Sequence, residues 1–336
     1  MNGFLHQNTR HTLHQALQWV QSSPPLFNQM ASPLCLNQAL PVGTVPLLPD
    51  SEQLDLLASL VKTKGNPLLG IFYETIWQFL LNQLPDSHVI ASNLQVRGEK
   101  NGQFATLGEY DLLYQFRKQF FHRELAVKFY LGIPYVNNVS GDSPWRHWVG
   151  PGLKDRLDRK MDRLLNHQIT LGDTEQGLKA LSGLGIGPVV EKEVLIQGRL
   201  FYPLYPLKTA ESPAIHLTDL FQSQTDNTQW CQPPELSNPD HLRGYWLTQN
   251  QFLLSTEPVA GDLSYQTPDK IQWLNRHPAS GYLNQHQLMY QLKQQQRPVY
   301  VRAIHQELQG QMHLFIVPDD WPIQAEAAVY QKIELD

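Results

Sequence analysis

Two short runs of sequence, GEYDLLYQF (residues 108–116) and QFFHRELAVKFY (residues 119–130), decide the fold of this chain. In the first run the even positions from Tyr110 to Phe116 are apolar or aromatic. In the second run most of the apolar residues lie at odd positions. Alternation with a period of two is typical of a β-strand with one buried face. The two runs therefore predict a β-hairpin whose acidic residues share one face.

The length of the hairpin loop decides which polar residues meet across the strands. A buried face fixes the register, because a slip of one residue exchanges all inward and outward side chains. A two-residue loop after Phe116 places Asp111 opposite Glu124. A four-residue loop instead places Glu109 opposite Lys128. Either register brings two or three carboxylates and one ammonium together on adjacent strands.

This concentration of charge predicts a particular chemistry. Carboxylates held close together repel each other, and a hard divalent cation neutralises them; Mg²⁺ is the expected ion and Mn²⁺ its substitute. A lysine beside such an ion can orient or deprotonate an attacking water, or stabilise the charge that develops on a phosphate. The competing interpretation is an exposed hairpin face on which Glu and Lys form weak cross-strand pairs.

A Gly-Glu-x-Asp strand followed by a strand that ends in an acid and a lysine resembles the PD-(D/E)XK nuclease superfamily, over residues 66–202. The resemblance implies an α/β (α+β) fold with a restriction-endonuclease-like αβββαβ core and a mixed central sheet. It also implies that Asp111 and Glu124 hold a metal ion and that Lys128 positions the water. Glu109 either supports one of these ligands from behind or is an alternate ligand.

The sequence departs from that family's pattern at two positions. Tyr110 precedes the aspartate where the family has proline, and Ala126 stands where an acid is expected two residues before the lysine. Glu124 lies on the same face, about 7 Å further along the strand. A displaced acid that still reaches the ion preserves catalysis, whereas a lost acid leaves a nuclease-like fold without activity. His122 shares this face and is a secondary candidate.

A helix that precedes the hairpin carries a further candidate. Residues 68–84 are predicted to be helical up to Pro85, with Glu74 between Ile71 and Trp77 in an apolar stripe. A carboxylate in such a stripe is costly unless it finds a partner or a metal. The nuclease resemblance gives Glu74 the role of an acid that points at the active site from the first core helix. The alternative is a glutamate whose head reaches solvent at the edge of the helix.

A second helix is predicted after the hairpin, from apolar residues at three- and four-residue spacing between Leu153 and Leu165. Its other faces interleave aspartates with basic residues, which are Lys154, Arg156, Arg159, Lys160 and Arg163. Interleaved charges are typical of a solvated, self-paired face, and the functional alternative is contact with nucleic-acid phosphates. The loop before this helix, residues 132–151, either stacks on bases or covers the sheet.

Three segments follow from these patterns. Residues 1–65 are predicted to form an N-terminal helical extension, residues 66–206 the nuclease-like core, and residues 207–336 an α+β extension that packs on the core or extends its sheet. Over nearly its whole length the chain is also similar to a bacterial family described as domain of unknown function 1853. The phrases Glu124–Leu131 and Val317–Pro322 carry that similarity, which names no reaction.

Composition limits the remaining possibilities. The net charge of the chain is −5, which argues against a wholesale nucleic-acid binder, but residues 97–163 carry twelve basic and eight acidic side chains. Two distant cysteines, Cys35 and Cys231, exclude a thiolate-rich zinc site and a disulfide framework. The first residues lack the pattern of a secretory signal, and no stretch is long and apolar enough to span a bilayer. The sequence predicts a cytoplasmic protein with no membrane partner.

The leading hypothesis is a Mg²⁺-dependent hydrolase of phosphodiester bonds that acts on DNA or RNA. The first alternative is a nucleic-acid-binding protein of nuclease fold that has lost catalysis. The second alternative is a protein-interaction scaffold on which the charges only solvate a face. The sequence leaves open the type of nucleic acid, a protein partner and self-association into a homo-oligomer.

Overall fold

Nine strands of the described residues form one mixed sheet. The computed structural model describes residues 2–27, 39–100, 102–134, 144–187, 190–205, 216–222, 230–255, 263–276 and 281–330. The strands are β1 (Ser87–Lys100), β2 (Gln103–Phe116), β3 (Gln119–Gly132), β4 (Trp148–Val149), β5 (Glu191–Pro203), β6 (Arg243–Thr248), β7 (Leu263–Gln266), β8 (Val299–His305) and β9 (Gly310–Val317).

Nine α-helices occur in the same residues. They are α1 (Asn2–Ser22), α2 (Ser51–Thr63), α3 (Leu69–Gln83), α4 (Leu157–Arg163), α5 (Glu175–Gly183), α6 (Leu217–Gln222), α7 (Gln249–Ser255), α8 (Gln285–Lys293) and α9 (Trp321–Tyr330). The architecture is therefore mixed α/β. None of these helices combines the length and the apolar character that a bilayer-spanning segment requires.

The strand order is β1-β2-β3-β5-β6-β9-β8-β7, with β4 paired to the end of β3. Strands β1, β2 and β3 form an antiparallel meander. Strands β5, β6 and β9 then join in parallel, and β8 and β7 return antiparallel. The strands of the C-terminal third thus continue the sheet that begins with β1. The predicted segment boundary at residue 206 falls outside the described residues.

The hairpin between β2 and β3 has the two-residue loop, and the register that places Asp111 towards Glu124 is confirmed. Phe116 pairs with Gln119, and the ladder runs back to Leu112, which pairs with Arg123. Both loop residues have positive φ angles, 48° and 67°. This is the pattern of a type I′ turn, whose twist matches that of the flanking strands.

The backbone of the loop is slightly strained at Lys118, and a substitution there can measure this strain. Lys118 is exposed and holds a φ of 67°, a conformation that costs a residue with a Cβ more than it costs glycine. We expect Lys118→Gly to raise the free energy of unfolding by about 0.5–1 kcal/mol. Urea denaturation followed by circular dichroism measures the change. Lys118→Ala keeps the strain, so an equal gain in that variant would contradict the explanation.

Helices cover both faces of the sheet. On one face α1, α2 and α3 bury their apolar residues against the side chains of Leu112, Tyr114 and Phe116. On the other face α4 packs over Ala126 and Tyr130, and α5 packs near Leu113. The prediction of a helix over residues 68–84 is confirmed by α3. The candidate acids of β2 and β3 consequently lie between two helical layers.

The predicted helix between Leu153 and Leu165 differs from the observed one. Leu153 has a φ of 60° in a turn closed by a hydrogen bond from Gly150 N to Asp155 O, so α4 starts only at Leu157. After Arg163 the helix widens into a π-helical turn, residues 164–168. Residues 135–143, the middle of the loop predicted to stack on bases or cover the sheet, lie outside the described residues.

Candidate active site

The candidate site lies where β2 and β3 separate. Their backbone ladder ends at Leu112 and Arg123, and side chains make the next contacts. The backbone N–H of Leu125 donates to Oδ2 of Asp111 over 2.9 Å, and the N–H of Asp111 lies 3.5 Å from Oε1 of Glu124. Two carboxylates therefore occupy the position that a continued ladder would fill. Their side chains are 6% and 0% exposed, respectively.

Glu124 is held by two further side chains. His122 Nε2 lies 2.8 Å from Oε1, and Gln168 Nε2 donates to Oε2 over 2.7 Å. Burial lowers the pKa of His122 to about 4, so the ring is neutral at pH 7. We place its proton on Nε2, which faces the carboxylate, because Nδ1 has no hydrogen-bond partner among the described residues. Glu124 thus accepts a hydrogen bond on each oxygen.

The π-helical turn brings a lysine to the same carboxylate. Gln168 ends this turn, and its Oε1 accepts a hydrogen bond of 3.3 Å from Nζ of Lys160 in α4. Burial and the positive charge of Lys128 lower the pKa of Lys160, whereas the charges of Asp111 and Glu124 raise it. Lys160 is therefore the cation that the two buried acids sense. Single π turns within α-helices are frequent at functional sites.

Glu74 and Glu109 complete the acidic group. Glu74 projects from α3, and Nδ2 of Asn93 donates to its Oε2 over 2.9 Å. Asn93 lies in β1 with a φ of 50°, a conformation that asparagine adopts more readily than most residues. Glu109 is half-buried on β2, and its charge raises the pKa of Glu74, Asp111 and Glu124.

Three carboxylates have strongly raised pKa values for one shared reason. Burial raises the pKa of Glu74, Asp111 and Glu124 to about 7 each. Repulsion among the acids adds to this, and Lys160 opposes it. Groups whose pKa values are shifted by burial and by specific neighbours are concentrated at functional sites. Asp111 and Glu109 are thus each within electrostatic reach of the other three acids predicted from the sequence.

Lys128 does not contact the acids beside which it was predicted to lie; it pairs with Asp155 instead. Its Nζ lies 2.5 Å from Oδ2 of Asp155, and the hydroxyl of Tyr130 donates to the other oxygen of that carboxylate over 3.2 Å. The reason is the rise of the strand, since four residues separate Lys128 from Glu124 by about 13 Å. Lys160, not Lys128, is the lysine whose charge acts on Asp111 and Glu124.

Only three of the five basic residues predicted to contact phosphates are exposed to solvent. Lys154, Arg159 and Arg163 are exposed. Arg156 is buried; its guanidinium binds Asp158 and donates to the carbonyls of residues 328 and 329 at the end of α9. Arg156 therefore holds the fold together rather than facing solvent, and Lys160 belongs to the acidic group.

The donor chemistry suits a hard cation, but the described residues do not form a complete cage. No three His, Cys, Asp or Glu groups of the described ranges converge as ligands of one ion. Within those ranges, hydrogen bonds engage Oδ2 of Asp111 and Oε2 of Glu74, and the side chain of Asp111 also makes a hydrogen bond with that of Glu124. Mg²⁺ commonly binds through one or two carboxylates and completes its shell with water and phosphate oxygens. Asp111 and Glu74 fit that pattern.

Gln168 and Asn93 are site residues that the sequence does not predict. Neither residue is ionisable, and each reaches an acid through a local irregularity: the π turn for Gln168 and the positive φ angle for Asn93. The chain matches the family model described as Domain of unknown function (DUF1853) over residues 15–317. Comparison with curated proteins and with solved structures gave no match.

Proposed function

The chain belongs to the DUF1853 family, and we propose that it is a nuclease-like enzyme that hydrolyses phosphodiester bonds of DNA or RNA with a divalent metal ion, Mg²⁺ or Mn²⁺. The observation that carries this proposal is the group of buried acids with pKa values near 7 around Lys160, at the point where β2 and β3 separate. Such a group is costly to bury, and a cation together with a phosphate substrate offsets that cost.

The order of the elements supports the same proposal. Helix α3 is followed by the meander of β1, β2 and β3, then by α4 and α5, and then by β5, which pairs in parallel with β3. This is the αβββαβ order that the PD-(D/E)XK resemblance implies. The candidate acids lie on the first helix, the second strand and the third strand of that order.

Each residue has a proposed role in the reaction. Asp111 and Glu74 hold the metal ion, with Glu109 as an additional ligand, and the bound ion supplies Lewis-acid activation of water and phosphate. Glu124, fixed by His122 and Gln168, provides a carboxyl group beside Lys160.

Lys160 is proposed to act at the attacking water. Its Nζ either orients this water as the ammonium or, as the neutral amine that a lowered pKa favours, accepts its proton. Its hydrogen bond to Gln168 fixes the ammonium beside Glu124 without a direct ion pair. Lys128, bound to Asp155, keeps the turn before α4 in place.

A pair of lysine variants tests this assignment. We expect Lys160→Met to lower the rate of Mg²⁺-dependent cleavage of mixed nucleic acids about a hundredfold, because it removes the cation beside Asp111 and Glu124. We expect Lys128→Met to change the rate only a few-fold, because its partner Asp155 is partly exposed and can be solvated. Gel-based cleavage assays with equal amounts of folded protein measure both rates. If Lys128→Met lowers the cleavage rate more than Lys160→Met does, Lys128 is the residue that acts at the attacking water.

A second candidate function is a nucleic-acid-binding protein without catalysis. The observation in its favour is that both oxygens of Glu124 already accept hydrogen bonds, while Lys128 is bound to Asp155. The exposed Lys154, Arg159 and Arg163 would then supply the phosphate contacts. In that case the protein neither binds Mg²⁺ in calorimetry nor cleaves nucleic acid, and its affinity for nucleic acid falls steeply with salt.

A further inference from the structure

A buried arginine, Arg302, and the basic residues near it lie in the other half of the sheet. Arg302 on β8 is 1% exposed, and its Nη2 donates to the carbonyls of Gln272 and Asn275 over 2.5 and 2.6 Å. Its Nε has no hydrogen-bond partner among the described residues, and no carboxylate of those residues forms an ion pair with it. Arg302 is thus a buried guanidinium whose charge is uncompensated within the described chain.

A neighbouring arginine adds to this uncompensated positive charge, and a neighbouring histidine does not. Arg199 on β5 and His313 on β9 lie within electrostatic reach of it. Burial and the two guanidinium groups lower the pKa of His313 well below its usual value, so the ring is neutral. Its Nδ1 lies 2.6 Å from the hydroxyl of Tyr300. Burying unpaired positive charge is expensive unless an anion accompanies it.

Arg302 also lines a cavity of about 160 Å³. This volume is well above the roughly 15 Å³ that a single water needs. Three glutamines, Gln266, Gln272 and Gln291, contribute to the lining. Gln266 pairs directly with Arg302 across β7 and β8, which puts both side chains on one face of the sheet. Three amide side chains and one arginine are therefore among the eight residues that line the cavity.

A buried amide beside Arg302 also has no partner. The side chain of Asn275 is 2% exposed, and neither its oxygen nor its nitrogen makes a hydrogen bond within the described residues. The carbonyl of the same residue accepts from Arg302. Buried polar atoms are nearly always satisfied by protein, water or ligand, so the unsatisfied atoms of Arg302, which lines the cavity, and of the adjoining Asn275 support a bound polar partner there.

We propose that this cavity binds the phosphate group of a small anionic ligand. Phosphate is favoured over carboxylate because its additional oxygens can accept hydrogen bonds from the glutamine amides as well as from the guanidinium of Arg302. Strands β7 and β8 carry this site, whereas β2 and β3 carry the acidic group. The site is independent of the proposed nuclease activity and binds ligand whether or not the acids catalyse a reaction.

Gln291→Glu tests the proposal because it supplies the missing negative charge from the protein itself. Thr267 Oγ1 donates to Oε1 of Gln291 over 3.3 Å, and a glutamate at this position keeps that acceptor. We expect the variant to melt at least about 2 °C above the unmodified protein in phosphate-free buffer. Gln296→Glu makes the same change of net charge at an exposed position and serves as the control.

Inorganic phosphate is the probe, and thermal unfolding is measured at constant ionic strength against chloride. We expect phosphate to raise the melting temperature of the unmodified protein and of Gln296→Glu in a concentration-dependent manner, and to leave that of Gln291→Glu unchanged. The proposal is overturned if phosphate has no effect on the unmodified protein. It is also overturned if phosphate stabilises Gln291→Glu equally, since the anion then binds elsewhere.

Discussion

Asp111→Asn is expected to abolish metal-dependent cleavage and, at the same time, to make the metal-free protein more stable at pH 8. The loss of activity follows from the proposed role of Asp111 as a metal ligand, and we expect a fall in rate of about a thousandfold or more. Calorimetry should show Mg²⁺ binding by the unmodified protein and none by the variant. Cleavage by the variant at a similar rate would refute the proposed site.

The gain in stability follows from the raised pKa values. Asp111 and Glu124 have folded-state pKa values of about 7, against roughly 4 in an unfolded chain. The folded protein therefore holds protons that the unfolded chain has lost, and stability that is present below pH 4 declines as the pH rises through 7. Asp111→Asn removes one of the repelling charges, so we expect a gain of about 1–3 kcal/mol at pH 8.

The pH dependence distinguishes this explanation from a general stabilisation. Urea unfolding of both proteins, in chelator and at pH 5, 6, 7 and 8, should give a difference in stability that is smallest at pH 5, grows up to about pH 7 and then levels off, because the pKa is roughly 4 in the unfolded chain and about 7 in the folded protein. A gain of equal size at pH 5 and pH 8 would mean that repulsion between the carboxylates is not its cause. Mg²⁺ should narrow the difference at pH 8, because the ion stabilises only the protein that retains Asp111.

Arg123→Ala should be the most destabilising single substitution in the hairpin. Its guanidinium is fully buried, pairs with Glu193 over 2.7 Å and donates to the hydroxyl of Tyr114 and the carbonyl of Ala39. The ring of Trp77 lies 5.0 Å from its central carbon. Removing one partner of a buried ion pair leaves the other charge uncompensated, so we expect a loss of about 3–5 kcal/mol.

Chemical denaturation measures this loss, and Arg97→Ala is the matched control. Arg97 is an exposed arginine of the neighbouring strand, and we expect its truncation to change stability by less than about 0.5 kcal/mol. Arg123→Ala combined with Glu193→Gln should recover part of the loss, because the uncompensated carboxylate is then removed. A loss below about 1 kcal/mol for Arg123→Ala alone would show that the charge is solvated in the folded protein.

Local pattern was sufficient to predict the hairpin and to reduce its register to two alternatives, of which the structure has the one with the two-residue loop. The two-residue period of the runs at 108–116 and 119–130 determined the buried face, and the two-residue loop then determined the pairing. Helix α3 was predictable for a similar reason, since its apolar stripe ends at a proline. These features depend on residues that are close in sequence.

The positions of the other residues of the site depend on irregularities of the backbone that the sequence pattern does not predict. Lys160 and Arg156 are both basic residues of one charged segment, yet one faces the buried acids and the other binds the end of α9. The late start of α4 and the π turn after it determine that division. Neither irregularity has a signal in composition or periodicity, so the role of Gln168 could not be predicted.

The parallel pairing of β3 with β5 has a consequence for the order in which the protein folds. Phe121 pairs with Glu191 and Leu131 with Phe201, so every pair along this ladder joins residues that are 70 positions apart. The meander of β1, β2 and β3 needs only local turns, and local contacts form faster than distant ones. Two of the buried acids are therefore brought together early, whereas Lys160 and Gln168 arrive with the slower crossover that delivers β5. A folding intermediate with the hairpin formed would carry its acids without their lysine.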